Sequence, residues 1–158
     1  MSDPVSVTVF PRLDCCVPDY TGKNAALVQI LRDVRQEVGD IARIEVVSDA
    51  TRADRLVYYE RMVDTLLAGG HELPFAKDDR EWAALRRELS ALKAGLLPGP
   101  GAFERFRTLS VALFWIPPVI GIDGKAAFVT ELPSAAQLSE AIRKSHRLKE
   151  EDNETVQG

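Results

Sequence analysis

The two cysteines of the chain, Cys15 and Cys16, are adjacent in sequence. Soft ions such as Cu(I), Hg(II) and As(III) prefer thiolate ligands, so neighbouring thiols could hold one at low coordination, completed by a partner or a small thiol. A stable disulfide between the two is not expected, because the trans peptide bond that joins adjacent residues conflicts with good disulfide geometry. The pair therefore predicts either soft-ion binding or single-thiol chemistry.

Cys15 is the expected exposed nucleophile or primary ligand of the pair. The start of the following helix, with Arg12 and Lys23 near in sequence, favours a thiolate, whereas Asp14 and Asp19 oppose it. The alternative interpretation is that a cysteine here only packs, since free cysteine is among the most buried residue types.

Composition limits the classes of protein to consider. The chain has 158 residues, of which 46% are hydrophobic and 28% charged, as expected for one domain with its own core. A net charge of −4 argues against an electrostatic nucleic-acid binder. Besides the thiol pair the chain has only two histidines, and both are distant from it in sequence, which excludes a closed four-ligand zinc site.

The N-terminal residues run directly into a strand pattern, without the basic and apolar segments of a signal peptide. The longest apolar stretch, residues 109–122, is too short to cross a bilayer and contains Pro117 and Pro118. We therefore expect a cytoplasmic protein that does not engage a membrane. In a reducing compartment, two thiols are more often reactive or metal-binding than a structural staple.

Alternating apolar residues predict a strand at residues 5–10, followed by a loop that contains the cysteines. Helical spacing at 21–38 and renewed alternation at 41–47 complete a parallel strand–helix–strand unit. Residues 49–114 carry further helical patterns and predict an inserted helical layer. Its apolar stripes are expected to pack on the sheet, with a homodimer surface as the alternative.

Asp123 and Gly124 stand between two apolar runs, which is a strong signal for a β-hairpin. Ser134 and Gln137 follow with the spacing of a capping box and begin a final helix. The chain thus ends in a strand–strand–helix unit.

The sequence predicts a single domain over residues 1–146, with the helical insertion at about residues 49–114. Residues 147–158 hold many charges and a single valine, and are expected to form a flexible tail. Tyr58 and Tyr59 lie in the insertion, where an amphipathic helix predicts one buried ring and one exposed ring.

This order of elements resembles the thioredoxin-like fold, an α/β three-layer sandwich. Cys15 lies five residues after Phe10, in the loop where redox members of that family carry a reactive cysteine. Pro118 stands six residues before Gly124 and looks like the proline before the hairpin, which is usually cis in this fold. The resemblance implies a binding groove beside the cysteines. Its expected members are Pro118, Pro117, Arg12 and Pro18.

The chain departs from redox thioredoxins, which carry Cys-x-x-Cys, because Pro18 occupies the usual resolving position. A Cys-Cys pair with a later Pro-x-x-x-x-Asp-Gly hairpin is similar to the ArsD-type arsenic metallochaperones, which hold As(III) with a vicinal pair and a third cysteine. Residues 18–21 contain no third cysteine, so three-thiolate binding within one chain is not available.

Three functions stay open on the sequence. The first is a carrier that binds a soft metal, a metalloid or a sulfur species through Cys15 and Cys16 and passes it to a protein partner, with no other cofactor required. The second is a thiol–disulfide oxidoreductase in which Cys15 is the nucleophile. The third is a redox-silent module whose groove beside Pro118 binds an extended peptide. The missing Cys-x-x-Cys motif disfavours the second, and the vicinal pair favours the first over the third.

Overall fold

A computed structural model describes residues 3–12, 22–47, 52–69, 79–94, 104–105, 107–108, 113 and 115–157. Its strands are β1 (Val5–Phe10), β2 (Ala42–Val46), β3 (Val119–Ile122) and β4 (Lys125–Val129). Its longer helices are α1 (Lys23–Val38), α2 (Arg52–Gly69), α3 (Asp79–Lys93) and α4 (Ala135–Gln157), and a short 3-10 turn, Gly39–Ile41, precedes β2.

The four strands form one mixed sheet in the order β2-β1-β3-β4. β2 runs parallel to β1, whereas β3 is antiparallel to β1 and β4 is antiparallel to β3. β1 therefore lies inside the sheet, between β2 and β3. The chain is of the α/β class, as the sequence predicts.

Helices cover both faces of this sheet. Val5, Val7 and Val9 project from β1 to one face and pack with apolar residues of α1 and α4. Phe10 projects to the other face and packs with α2, which in turn packs against α3. The alternation of side chains along β1 thus divides the core into two clusters, one on each face.

Tyr58 and Tyr59 of α2 are both buried, so the prediction that one ring is exposed is wrong. The rings meet edge to face with centroids 5.6 Å apart, and the Tyr58 ring meets Phe10 in the same way at 5.4 Å. The physical reason is the position of α2, because a helix enclosed between the sheet and a second helix buries more than one stripe.

The hairpin and the capping box form as the sequence predicts. Asp123 and Gly124 have φ angles of 51° and 83°, the left-handed values that a tight two-residue turn between β3 and β4 requires. At the start of α4, the Gln137 N–H donates to Ser134 Oγ at 3.1 Å. The Ser134 N–H donates in return to Gln137 Oε1 at 2.8 Å. Each of the two side chains thus accepts a hydrogen bond from the backbone N–H of the other residue, which has no partner within the helix.

Residues 147–157, which the sequence predicts to lie in a flexible tail, continue α4 as a helix that ends at Gln157. Lys149 anchors this part of the helix, because its ammonium donates to Asp123 Oδ1 at 2.8 Å and to the Pro4 carbonyl at 3.2 Å. High charge density alone does not end a helix, since Lys and Glu are good helix formers. No helix in the described ranges has the length and apolar character needed to cross a bilayer.

Candidate functional site

The predicted thiol site belongs to the loop between β1 and α1. Cys15, Cys16 and Pro18 lie outside the described residues, which end at Arg12 on one side of the loop and resume at Gly22 on the other. The structure therefore bears on the two ends of this loop and on the residues beside it.

Asn24, in the first turn of α1, ties these two ends together. The Arg12 N–H donates to Asn24 Oδ1 at 2.9 Å, and Asn24 Nδ2 donates to the Arg12 carbonyl at 2.8 Å. One carboxamide thus satisfies both backbone groups of Arg12, in the manner of a strand partner. We call this pair of hydrogen bonds the Asn24 clamp. The two ends of the loop that contains the cysteines are thus held next to each other.

A second contact holds the start of the loop from the opposite face of the sheet. The buried Tyr58 of α2 donates its hydroxyl proton to the Pro11 carbonyl. Neither Asn24 nor Tyr58 was expected to have this role from the sequence. An asparagine near a helix start indicates a local backbone contact, but its spacing does not reveal a partner 12 residues earlier.

The proline segment lies at the same end of the sheet. Phe10 pairs with Val119 at the end of the antiparallel ladder. Pro118, which precedes Val119, therefore lies at the same end of the sheet as Pro11, which follows Phe10. The peptide bond between Pro117 and Pro118 is cis, in agreement with the expectation for this position. Both prolines are buried. Of the expected groove, the structure brings Pro117, Pro118 and Arg12 to one end of the sheet.

Thr130 fastens the proline segment to the end of β4. Its N–H donates to the Pro118 carbonyl at 2.8 Å, and its hydroxyl donates to the Ile116 carbonyl at 2.8 Å. Prolines have no N–H, so neither Pro117 nor Pro118 can donate to an added strand. A peptide that docked here as an extra strand would thus find few backbone groups to pair with.

The start of α1 supplies the local electrostatics. Its N-cap residue, Gly22, has φ 67°, a left-handed conformation that a glycine adopts without strain. Among the described residues, no side chain caps this end, and the first turn of α1 contains no acidic residue. The partial positive charge of the helix N-terminus is therefore not offset by a carboxylate of its own first turn, which favours an anion such as a thiolate nearby.

Two other features of the described residues bear on the presence of a binding site. These residues contain no cluster of three or more His, Cys, Asp or Glu side chains that could hold a metal ion. An open cleft of about 560 Å³ lies between α2 and α3. It is lined by Arg86, whose guanidinium is already paired with Asp64 at 2.6 Å and with Glu60 at 3.3 Å. The charge of Arg86 is therefore already balanced by two carboxylates of α2.

Comparison of the chain with protein-family models, with curated proteins and with solved structures finds no match. The chemistry of the loop residues and the geometry at the two ends of the loop are therefore the basis for inferring a function.

Proposed function

We propose that this protein is a thioredoxin-like carrier that binds a soft metal or metalloid ion through Cys15 and Cys16 and passes it to a protein partner. The observation that carries the proposal is the Asn24 clamp. It fixes both ends of the cysteine loop at the end of β1 that also holds Pro118.

The strand order supports the thioredoxin-like part of the proposal. A parallel β1–β2 pair joined through α1, followed by an antiparallel β3–β4 hairpin that returns beside β1, is the arrangement expected from the resemblance. Helices on both faces agree with a three-layer sandwich. The described helices α2 and α3 occupy the interval in which the sequence predicts an insertion.

The location of the loop supports a binding role. Ligands of open α/β sheets are usually bound at the carboxyl ends of parallel strands, and the cysteine loop begins where β1 ends. The N-terminus of α1 follows the loop, and its dipole lowers the cost of forming a thiolate. Anchored loop ends also reduce the conformational entropy that ion binding would otherwise remove.

The chemistry of two thiols fits a carrier better than a storage site. Arsenous acid, As(OH)₃, can exchange two hydroxides for Cys15 and Cys16, with release of two waters, and keeps one hydroxide. Cu(I) can bind both sulfurs with release of two protons. A thiol of the partner can then replace the remaining hydroxide of As(III), with release of a third water, or add to two-coordinate Cu(I) as a third ligand, with release of a proton. The ion can therefore pass by ligand exchange rather than by prior dissociation.

Two observations disfavour the alternatives. Pro18 stands where a thioredoxin has its resolving cysteine, which argues against dithiol cycling. Two of the three carbonyls from Ile116 to Pro118 are engaged by Thr130, which leaves little for a peptide-binding groove.

Native mass spectrometry tests the proposal. The reduced protein is incubated separately with As(III), Hg(II) and Cu(I), beside the Cys15→Ser, Cys16→Ser and doubly substituted variants. We expect one ion per wild-type chain, weaker binding in each single variant and none in the double variant. No adduct in the wild type, or an equal adduct in the double variant, would refute the carrier.

An insulin-reduction assay separates the carrier from an oxidoreductase. The carrier predicts no turnover above background in the presence of glutathione. Turnover that disappears in Cys15→Ser would establish the oxidoreductase instead. A partner that binds the double variant as tightly as the wild type would favour the redox-silent module.

A further inference from the structure

The outer edge of β2 has an unusual distribution of backbone and charged groups. Within the described chain, β2 pairs only with β1 and forms one end of the sheet. The Val47 N–H donates to the Val9 carbonyl at 2.9 Å, so Val47 directs its backbone groups at β1. The backbone N–H and C=O groups of successive residues point to opposite sides of a strand. Arg43 and Glu45, which are two and four residues before Val47, therefore also direct their backbone groups at β1. The residues whose backbone groups point away from the sheet are Ala42, Ile44 and Val46.

The side chains of β2 alternate in the perpendicular direction. Arg43 and Glu45 are exposed on the face of the sheet that carries α2, where Glu45 pairs with Arg61 at 2.6 Å. Ala42 and Ile44 are half-buried on the opposite face. Val46 lies in the same row and is 48% exposed, which is high for a valine beside a core.

This pattern is self-complementary about Ile44. If a second copy pairs antiparallel with its own Ile44 opposite, the outward backbone groups of the two strands meet over the full length of β2. In this register Arg43 stands opposite Glu45 of the second copy, and the reverse. Ala42 likewise stands opposite Val46, so apolar residues meet on the other face of the sheet.

Neighbouring registers are disfavoured by charge. A shift that keeps the outward backbone groups matched places Arg43 opposite Arg43, or Glu45 opposite Glu45, of the second copy. Like charges directly opposite destabilise a strand pair. Proteins commonly protect exposed edges with charges of one sign, which repel a copy in every register. The mixed pair on β2 instead repels in the shifted registers and attracts in the centred one.

We propose that two copies of this chain associate through β2, antiparallel and centred on Ile44, so that their sheets become one continuous sheet. The occupant of the edge is a second copy because the charge pattern is complementary to itself about a two-fold axis. The contact is separate from the apolar stripes of the helical insertion, which the sequence offered as a dimer surface.

The pairing also determines where the two β1 strands end relative to each other. β1 is parallel to β2, and the two β2 strands are antiparallel to each other. The two β1 strands therefore run in opposite directions, and their carboxyl ends lie at opposite ends of the strands of the joined sheet. The residues that lead from β1 into the thiol loop, Pro11 and Arg12 of each copy, therefore lie far apart, and the proposal requires no thiol site shared between the copies. Association through β2 is accordingly independent of the thiols, and a Cys15→Ser/Cys16→Ser variant should associate like the wild type.

Sedimentation equilibrium of the full chain over a wide concentration range tests the proposal. The wild type should show a reversible monomer–dimer equilibrium. Arg43→Glu and Glu45→Lys should each weaken association by about tenfold or more, because each converts two attractive cross-strand pairs into two repulsive ones. An equimolar mixture of these two variants should form a heterodimer, since opposite charges face each other again.

Controls separate the contact from its surroundings. Arg61→Ala removes the intrachain partner of Glu45 and should leave association unchanged. Circular dichroism checks that each variant is folded. A wild type that stays monomeric at every concentration, reversal variants that associate as well as the wild type, or a mixture that stays monomeric would each overturn the proposal.

A crosslink gives a readout that does not depend on charge. Ile44→Cys in the Cys15→Ser/Cys16→Ser background places one thiol opposite its copy, where the Cα atoms of a hydrogen-bonded antiparallel pair are about 5.5 Å apart, within disulfide range. Mild oxidation should give a covalent dimer. Val28→Cys in the same background, at an exposed position on α1, should not. Equal crosslinking at both positions would also overturn the proposal.

Discussion

At the scale of single residues, Asn24 tests whether the ends of the cysteine loop matter. Asn24→Ala removes both hydrogen bonds to Arg12 and should lower the free energy of unfolding by about 1–2 kcal/mol, because part-buried backbone groups lose their partner. It should also weaken ion binding, although both thiols are still present. Urea unfolding and competition with a soluble dithiol measure the two effects.

Gln29→Ala is the matched control for Asn24→Ala. It removes an amide from the same helix whose two hydrogen bonds, donated to Asp33 and accepted from Arg32, are exposed at the surface. We expect little change in stability and none in ion affinity. Unchanged ion affinity in Asn24→Ala would show that the clamp serves the fold alone.

The sequence was sufficient to place the cysteine loop after β1 and Pro118 before the hairpin, because both positions follow from strand periodicity and a turn motif. It was not sufficient for Asn24 or Tyr58, whose hydrogen bonds to Arg12 and Pro11 depend on packing between distant elements. Such partners are fixed by tertiary structure, and no local spacing indicates them.

At the scale of elements, Gly121 permits α2 to lie close against β3. A Cβ atom built on Gly121 would lie 2.7 Å from Thr65 Cγ2. Thr65 is buried, and its hydroxyl donates to the Arg61 carbonyl at 2.8 Å, which holds the side chain in place. Gly121→Ala should therefore lower the free energy of unfolding by about 1–3 kcal/mol. This steric cost exceeds the stabilisation that alanine brings by restricting the unfolded chain.

The double variant Gly121→Ala/Thr65→Ser isolates the steric cause. Serine lacks the Cγ2 methyl but retains the hydroxyl, so most of the lost stability should return. Thr65→Ser alone should have a small effect. A double variant no more stable than Gly121→Ala in urea unfolding would exclude this contact as the cause.

The element boundaries show where sequence patterns were informative. The Ser134–Gln137 capping box begins α4 as predicted, because a cap depends on residues three apart. The helical continuation of α4 beyond residue 146 has no such local signal, since the partners that hold Lys149 lie in the hairpin and near the N-terminus. Helix starts are encoded locally, whereas this helix is prolonged by a tertiary contact.

At the scale of the whole molecule, Asp123 joins three distant parts of the chain. Its carboxylate accepts hydrogen bonds from the Ser6 N–H at 3.0 Å, from the Ser145 hydroxyl at 2.7 Å and from Lys149 at 2.8 Å. Burial disfavours the charged form, but the hydrogen bonds from Lys149, Ser145 and Ser6 outweigh it and lower the pKa of Asp123 below its ordinary value of 3.8. The hairpin turn, β1 and α4 are thus tied at one carboxylate.

This lowered pKa predicts a pH-dependent contribution to stability. A carboxyl group with a depressed folded-state pKa stabilises the fold fully above its unfolded pKa, and the contribution is lost as the pH falls through 3.8 towards the folded value. Asp123→Asn keeps a residue that tolerates the left-handed turn but has no charge. It should be less stable than the wild type by about 1 kcal/mol at neutral pH, with the difference shrinking in acid. Urea unfolding of both proteins at neutral and acidic pH measures this difference in stability. A difference of equal size at the two pH values would show that the charge of Asp123 does not contribute to it.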